Sequence, residues 1–176
     1  LHTVDGGLNW SCQFKQDYMD FYSICFINPD TTRAVGGGTI LYTSDGWNHW
    51  KIQRENIPVS LYSICFTDSQ NGWAVGDYGF ILRTRDGGLH WSIIQKEEPL
   101  WLSSVCFCDS VTGFIAGVLH DDNKSKGILQ RTEDGGNTWK QEVTPSPLFS
   151  SCFREKGCGW AAGADGSIFQ CLSMKE

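Results

Sequence analysis

Apolar and polar positions alternate over short stretches of this chain, and the stretches come in fours. Tyr22-Ser23-Ile24-Cys25-Phe26, Tyr62-Ser63-Ile64-Cys65-Phe66, Ser104-Val105-Cys106-Phe107 and Ser150-Ser151-Cys152-Phe153 read as half-buried strands. Each is followed by a small, apolar, glycine-bounded run: Arg33-Ala34-Val35-Gly36, Gly72-Trp73-Ala74-Val75-Gly76, Gly113-Phe114-Ile115-Ala116-Gly117 and Gly159-Trp160-Ala161-Ala162-Gly163. A turn then leads into a third stretch such as Ile40-Leu41-Tyr42-Thr43 or Phe80-Ile81-Leu82-Arg83-Thr84. The whole pattern returns with a period of about 40 residues, which marks a repeat architecture rather than a single irregular domain.

A third signal runs in phase with these strands. Thr3-Val4-Asp5-Gly6-Gly7-Leu8-Asn9-Trp10 recurs as Thr43-Ser44-Asp45-Gly46-Trp47-Asn48-His49-Trp50, as Thr84-Arg85-Asp86-Gly87-Gly88-Leu89-His90-Trp91 and as Thr132-Glu133-Asp134-Gly135-Gly136-Asn137-Thr138-Trp139. Asp and Thr side chains there can bond the backbone N–H groups of a turn, glycines supply positive φ, and the Trp can wedge against a neighbouring sheet. Thr3, Asp5, Trp10, Thr43, Asp45, Trp50, Thr84, Asp86, Trp91, Thr132, Asp134 and Trp139 are therefore read as structural. Trp47 stands where the second glycine belongs, so that hairpin is expected to be distorted.

Four short antiparallel strands per repeat predict an all-β fold, a β-propeller of four-stranded blades forming a single domain over residues 1–176. The repeats span roughly 14–54, 55–95, 96–143 and 144–176, the last to be completed by residues 1–13. Three geometries satisfy the strand count: one chain closing a four-bladed ring, two chains pairing as a homodimer into an eight-bladed ring, or an arc of a larger propeller. The chain opens inside a Thr-x-Asp motif, so its first residues carry no readable address.

The hairpins resemble Asp-boxes, also called BNR repeats. The fuller pattern of Ser-Ile-Cys-Phe, then Gly-Trp-Ala-Val-Gly, then Ile-Leu-x-Thr-x-Asp-Gly-Gly-x-x-Trp is similar to the photosystem II stability/assembly factor type of propeller. That resemblance covers essentially the whole chain and implies a non-enzymatic scaffold with about seven blades in the usual ring. Asp-boxes also occur in sialidases and glucan-cleaving propellers, so a carbohydrate-binding or glycoside-hydrolase role is the competing expectation.

Composition narrows the partners. With 14 Lys+Arg against 20 Asp+Glu the net charge is −6, without the broad positive field that nucleic-acid binding uses. No run reaches the roughly 20 apolar residues of a membrane-spanning helix. Eight cysteines lack metal-ligand spacing; Cys25, Cys65, Cys106 and Cys152 share one strand position and read as buried thiols, while Cys158 and Cys171 are a candidate disulfide. No metal or cofactor is expected. A sialidase-like site needs converging arginines, yet Arg33, Arg54, Arg83, Arg85, Arg131 and Arg154 fall at different repeat positions.

Departures from the repeat carry the functional expectation. The third repeat has extra residues between its second and third strands, including His120, Asp121, Asp122, Lys124 and Lys126. Propeller geometry gathers them with Tyr78, Arg54, Glu97, Glu98, Asp165 and Trp101 on the face opposite the boxes, with Trp101 in a connection between blades. An exposed aromatic among mixed charges reads as a contact surface for a protein or peptide partner.

Overall fold

The computed structural model describes residues 1–95, 99–120, 124–154 and 158–171. Blade I is β1 (Phe21–Phe26), β2 (Thr32–Gly36), β3 (Thr39–Thr43) and β4 (Lys51–Arg54); blade II is β5 (Leu61–Phe66), β6 (Gly72–Gly76), β7 (Ile81–Thr84) and β8 (Ser92–Gln95). Blade III is β9 (Leu100–Phe107), β10 (Gly113–Leu119), β11 (Lys126–Thr132) and β12 (Lys140–Thr144), and blade IV is β13 (Leu148–Phe153), β14 (Gly159–Gly163) and β15 (Ile168–Cys171). Every blade is an antiparallel meander in chain order. The first strands lie innermost, β1 beside β5, β5 beside β9 and β9 beside β13.

The core lies between blades. Val35, Ile40 and Val59 pack with Ile64, Leu82 and Trp91; Trp73, Val75 and Ile81 pack with Leu102, Val105 and Ile115; Ala116 packs with Leu148 and Ala161. The internal blade II is covered on both faces, which is why β6 is buried at every position despite the period-two geometry of a strand; β2 of blade I is buried as fully, with Trp47 and the amino-terminal hairpin against it. The outermost blades revert to alternation: β1 and β14 bury one face only. Ile24 is 53% exposed where its blade II equivalent, Ile64, is 5% exposed.

Innermost strands of adjacent blades are stitched by one serine per repeat. Ser23 Oγ accepts from the Ile64 N–H at 3.3 Å, Ser63 Oγ from Val105 at 3.1 Å and Ser104 Oγ from Ser151 at 3.2 Å. The glycine that ends β2, β6 and β14 has a comparable constraint. A Cβ on Gly36, Gly76 or Gly163 would land on the carbonyl preceding the first strand, of Asp20, Ser60 or Pro147, and the next residue donates its N–H to that same carbonyl.

The expected completion of the last blade by residues 1–13 is not made within the chain. Ser11 bridges back to His2, Trp10 is 58% exposed, and among the described residues β15 pairs with β14 alone. Instead the amino-terminal hairpin lies against blade I, with the His2 ring 4.8 Å from Trp47. Cys158 is a free thiol and Gly159, not Cys158, lies opposite Cys171, whose side chain is outside the described residues.

Two of the box tryptophans pack in the clusters between blades, Trp91 with Val35 and Ile40 and Trp139 against the cluster around Trp73, while Trp10 is exposed. Trp91 is buried and meets Phe66 edge-on at 5.9 Å, and Trp139, partly buried, meets Phe107 at 6.0 Å. Trp91→Ala is expected to lower stability by about 3 to 5 kcal/mol, and Trp139→Ala by less, in chemical denaturation followed by circular dichroism.

Candidate functional site

All four boxes form, and each uses its carboxylate up locally. Thr3, Thr43, Thr84 and Thr132 donate through Oγ1 to Asp5, Asp45, Asp86 and Asp134 at 2.7, 3.0, 2.9 and 2.8 Å. The same aspartates accept the backbone N–H of Asn9, His49, His90 and Thr138. The side chains of those four residues close the second carboxylate oxygen, each at 2.7 Å. This last contact escaped the sequence reading, although Asn, His, His and Thr share a donor at one position. Bonds from the turn hold all four carboxyls down at about 2, below the ordinary 3.8.

The second box shows the expected irregularity in a limited form. Trp47 adopts φ of 69°, the conformation a glycine would take, and its Nε1 donates to Thr32 Oγ1 at 2.6 Å. Gly7, Gly88 and Gly136 donate their N–H to the box threonine, whereas the bonds of the second box include no such contact from Trp47 to Thr43.

Of the thiols expected to be buried, Cys25, Cys65 and Cys106 are partly buried, whereas Cys152 is exposed. Burial pushes the Cys65 thiol up to about 12 and Cys106 to about 11, and it raises Cys25 as well, so none of these three supplies a thiolate at neutral pH. Among the described residues no three His, Cys, Asp or Glu side chains are placed to hold a metal ion.

Arg83 and Arg85 come together, but Arg33, Arg54 and Arg131 are engaged elsewhere. Arg33 is buried between blades I and II, over the Tyr42 and Phe66 rings, and donates to the Gly87 carbonyl. Arg54, expected on the contact face, donates instead to the Trp91 carbonyl across the blade I–II junction, where the geometry of the fourth strands directs it. Arg83 and Arg85 both reach Asn137 Oδ1 at 2.8 Å, and Arg131 pairs with Glu133 at 2.8 Å.

On the face opposite the boxes the structure gathers two aromatics. In blade II the turn Asp77–Gly79 presents Tyr78 at φ 54°, ψ 33°, a left-handed conformation that is uncommon for a bulky residue. Asp77 braces it: Oδ1 accepts from the Tyr62 hydroxyl at 2.8 Å and Oδ2 from the Ser60 N–H at 3.3 Å. Partial burial and this bond to Asp77 push the Tyr62 phenol up to about 12. Blade IV repeats the turn with Asp165 at φ 56°.

In blade III the extra residues lengthen the sheet. β9 and β10 continue through Val118↔Trp101 and Leu119↔Leu100, which takes Trp101 out of the connection and into a strand. The Trp101 ring, half exposed, meets His120 edge-on at 4.2 Å, and Ser125 Oγ lies 3.3 Å from His120 Nδ1. Lys124 and Lys126 are exposed beside it. Asp121, Asp122, Glu97 and Glu98 lie outside the described residues.

These features define an Asp-box β-propeller of the BNR class. The family model for photosynthesis system II assembly factor YCF48 matches residues 8–85 and 43–143, most of the chain, and the chain belongs to that family. No curated protein sequence matches it. Among solved structures, YCF48 bound to D1 peptide is similar at 20% identity and a TM-score of 0.70, over 89% of this chain and 52% of that one. YCF48 from Cyanidioschyzon merolae gives 20% and 0.65, over 89% and 54%. The GH74 enzyme of Niastella koreensis gives 11% and 0.62, over 85% and 30%. The chain thus spans about half the length of the YCF48 chains it matches.

The box carboxylates set an acid limit. Their folded pKa, about 2, lies below the unfolded 3.8, so their contribution is complete above pH 3.8 and disappears as pH falls through 2. Denaturant unfolding measured between pH 4 and 2 is expected to show stability falling across that window, with a shallower fall in Asp86→Asn.

Proposed function

We propose that this chain is a non-enzymatic protein-binding scaffold that holds an extended peptide of a subunit of a larger complex, as an assembly or stability factor does. The face opposite the boxes is its contact surface. Tyr78 and the Trp101–His120 pair are the aromatic anchors, and Lys124 and Lys126 are charged neighbours; Arg54, committed to an inter-blade bond, is not part of it. The observation that carries this reading is the left-handed Tyr78. Holding a tyrosine there costs about 1 to 2 kcal/mol, and the brace from Asp77, Tyr62 and Ser60 maintains it with the ring half exposed. Membership in the YCF48 family and the D1 peptide on a similar propeller support a peptide as the partner.

Fluorescence anisotropy with labelled D1-derived peptides and scrambled controls tests the reading. Sequence-dependent binding is expected; its absence for every peptide would overturn the proposal. Trp101→Ala is expected to weaken binding at least about tenfold with little change in melting temperature, because its ring is half exposed. Tyr78→Gly is expected to raise stability by about 1 kcal/mol while weakening binding.

The GH74 likeness favours one second reading, a carbohydrate-active propeller. Against it stand Arg33, Arg54 and Arg131, each engaged at a different place, and the box carboxylates engaged in their own turns. Turnover of fluorogenic glycosides that a single carboxylate substitution abolishes would establish it in place of the scaffold.

A further inference from the structure

The fourth strands β4, β8 and β12 are each the outer edge of their sheet. Two of these edges are blunted. In β4 the residues opposite Ile52 and Arg54 are adjacent in β3, so Gln53 is an extra residue, and in β8 Ile94 is extra in the same way between Ile93 and Gln95. A bulge of this kind twists an edge away from any further strand. β12 has none: Lys140, Gln141, Glu142, Val143 and Thr144 lie opposite Arg131, Gln130, Leu129, Ile128 and Gly127 in unbroken register.

This edge is both open and held in place. Residues 140–143 are exposed along its whole length. Trp139, just before it, packs against the cluster around Trp73, Gln141 Oε1 accepts from Gln130 Nε2 at 2.9 Å, and Thr144 Oγ1 donates to the Ser146 carbonyl at 3.0 Å. A fixed, unbulged edge turns alternate N–H and C=O groups outward, which is the arrangement by which an extended peptide adds to a sheet.

The side chains define which strand fits. Successive residues face opposite ways, so Lys140 and Glu142 share one face of β12 and Gln141 and Val143 the other. Opposite charges two residues apart call for a partner with a base facing Glu142 and an acid facing Lys140. A second β12 does not supply them. Antiparallel, in the register that pairs all five residues, Glu142 would face its own copy; parallel and in register, Lys140 would do so as well.

We propose that β12 is a strand-addition site, on which an extended peptide pairs antiparallel with Lys or Arg opposite Glu142 and Asp or Glu opposite Lys140. The antiparallel sense continues the meander of the blade, and a β-branched apolar residue fits opposite Val143, which is 55% exposed. This grip rests on the reading of the chain as the holder of an extended peptide, and it adds a backbone contact at the rim to the aromatic anchors of the opposite face.

Titration of the isotope-labelled chain with pentapeptides, followed by nuclear magnetic resonance, tests the proposal. The probe is acetyl-Thr-Val-Lys-Gln-Glu-amide, and the controls are its charge-exchanged form acetyl-Thr-Val-Glu-Gln-Lys-amide and the probe N-methylated throughout. Shifts centred on residues 140–144 are expected, with the probe binding at least about fivefold more tightly than the charge-exchanged peptide. In K140E/E142K, whose two altered residues are exposed, that preference is expected to reverse. Equal binding of the two charged peptides, undiminished binding of the N-methylated one, or no shift in β12 up to about 10 mM would overturn the proposal. Shifts in β12 that depend on protein concentration without peptide would assign the edge to a second copy and overturn it too. D1-derived peptides that bind while the pentapeptides show no preference would remove this site alone; D1-derived peptides that fail while the pentapeptides bind as expected would remove the opposite-face reading and leave β12 as a strand-addition site.

Discussion

A planar side chain from one blade laid flat on a phenylalanine of the next is the interaction on which the rest of this structure depends. Among the described residues no strand of one blade pairs with a strand of the next, and apart from the isolated Gly37–Ser60 bridge the sheets meet through side chains, so whatever fills the space between them sets their spacing. Arg33 on Phe66, Trp73 on Phe107 and Phe114 on Phe153 are three chemical versions of one contact. Such pairs contribute about 0.5 to 1.5 kcal/mol beyond the area they bury. The box tryptophans brace the same phenylalanines from the side, and the serine rungs fix the inner strands. On β1 and β14 the side chains of one face lie open.

The boxes contribute in a different manner. Each is a closed local circuit in which threonine, aspartate and the residue before the tryptophan satisfy one another. A carboxylate used in this way is held ionised but is not available to a substrate, so repetition of the motif builds a rim and not a reaction centre. The repeat is broken on the opposite face. There Tyr78 bends the backbone out of its usual range, and the longer β9–β10 pairing brings Trp101 beside His120.

The repeat, its antiparallel strands, the boxes and the burial of Trp91 were legible because each rests on short-range rules: alternation, turn chemistry and fixed spacing. Trp101 was misplaced because strand length depends on what the partner strand offers, and the extra residues of blade III offer a longer β10. Arg54 was assigned to the contact face because a charged residue at a strand end reads as exposed, whereas its guanidinium finds the Trp91 carbonyl 37 residues away. Trp47 was recognised as an irregular box residue, but its contacts with His2 and Phe26 come from residues distant in the chain and were not foreseen.

By itself, then, the sequence determined what each repeat becomes, because a blade's strands and its box are held by contacts within about 40 residues of chain. Only the tertiary structure decided how blades meet, which arginines are committed to junctions, and that residues 1–13 lie on blade I instead of completing blade IV. Those outcomes depend on the size and shape of side chains brought together from different repeats, and a pattern read along one strand does not contain them.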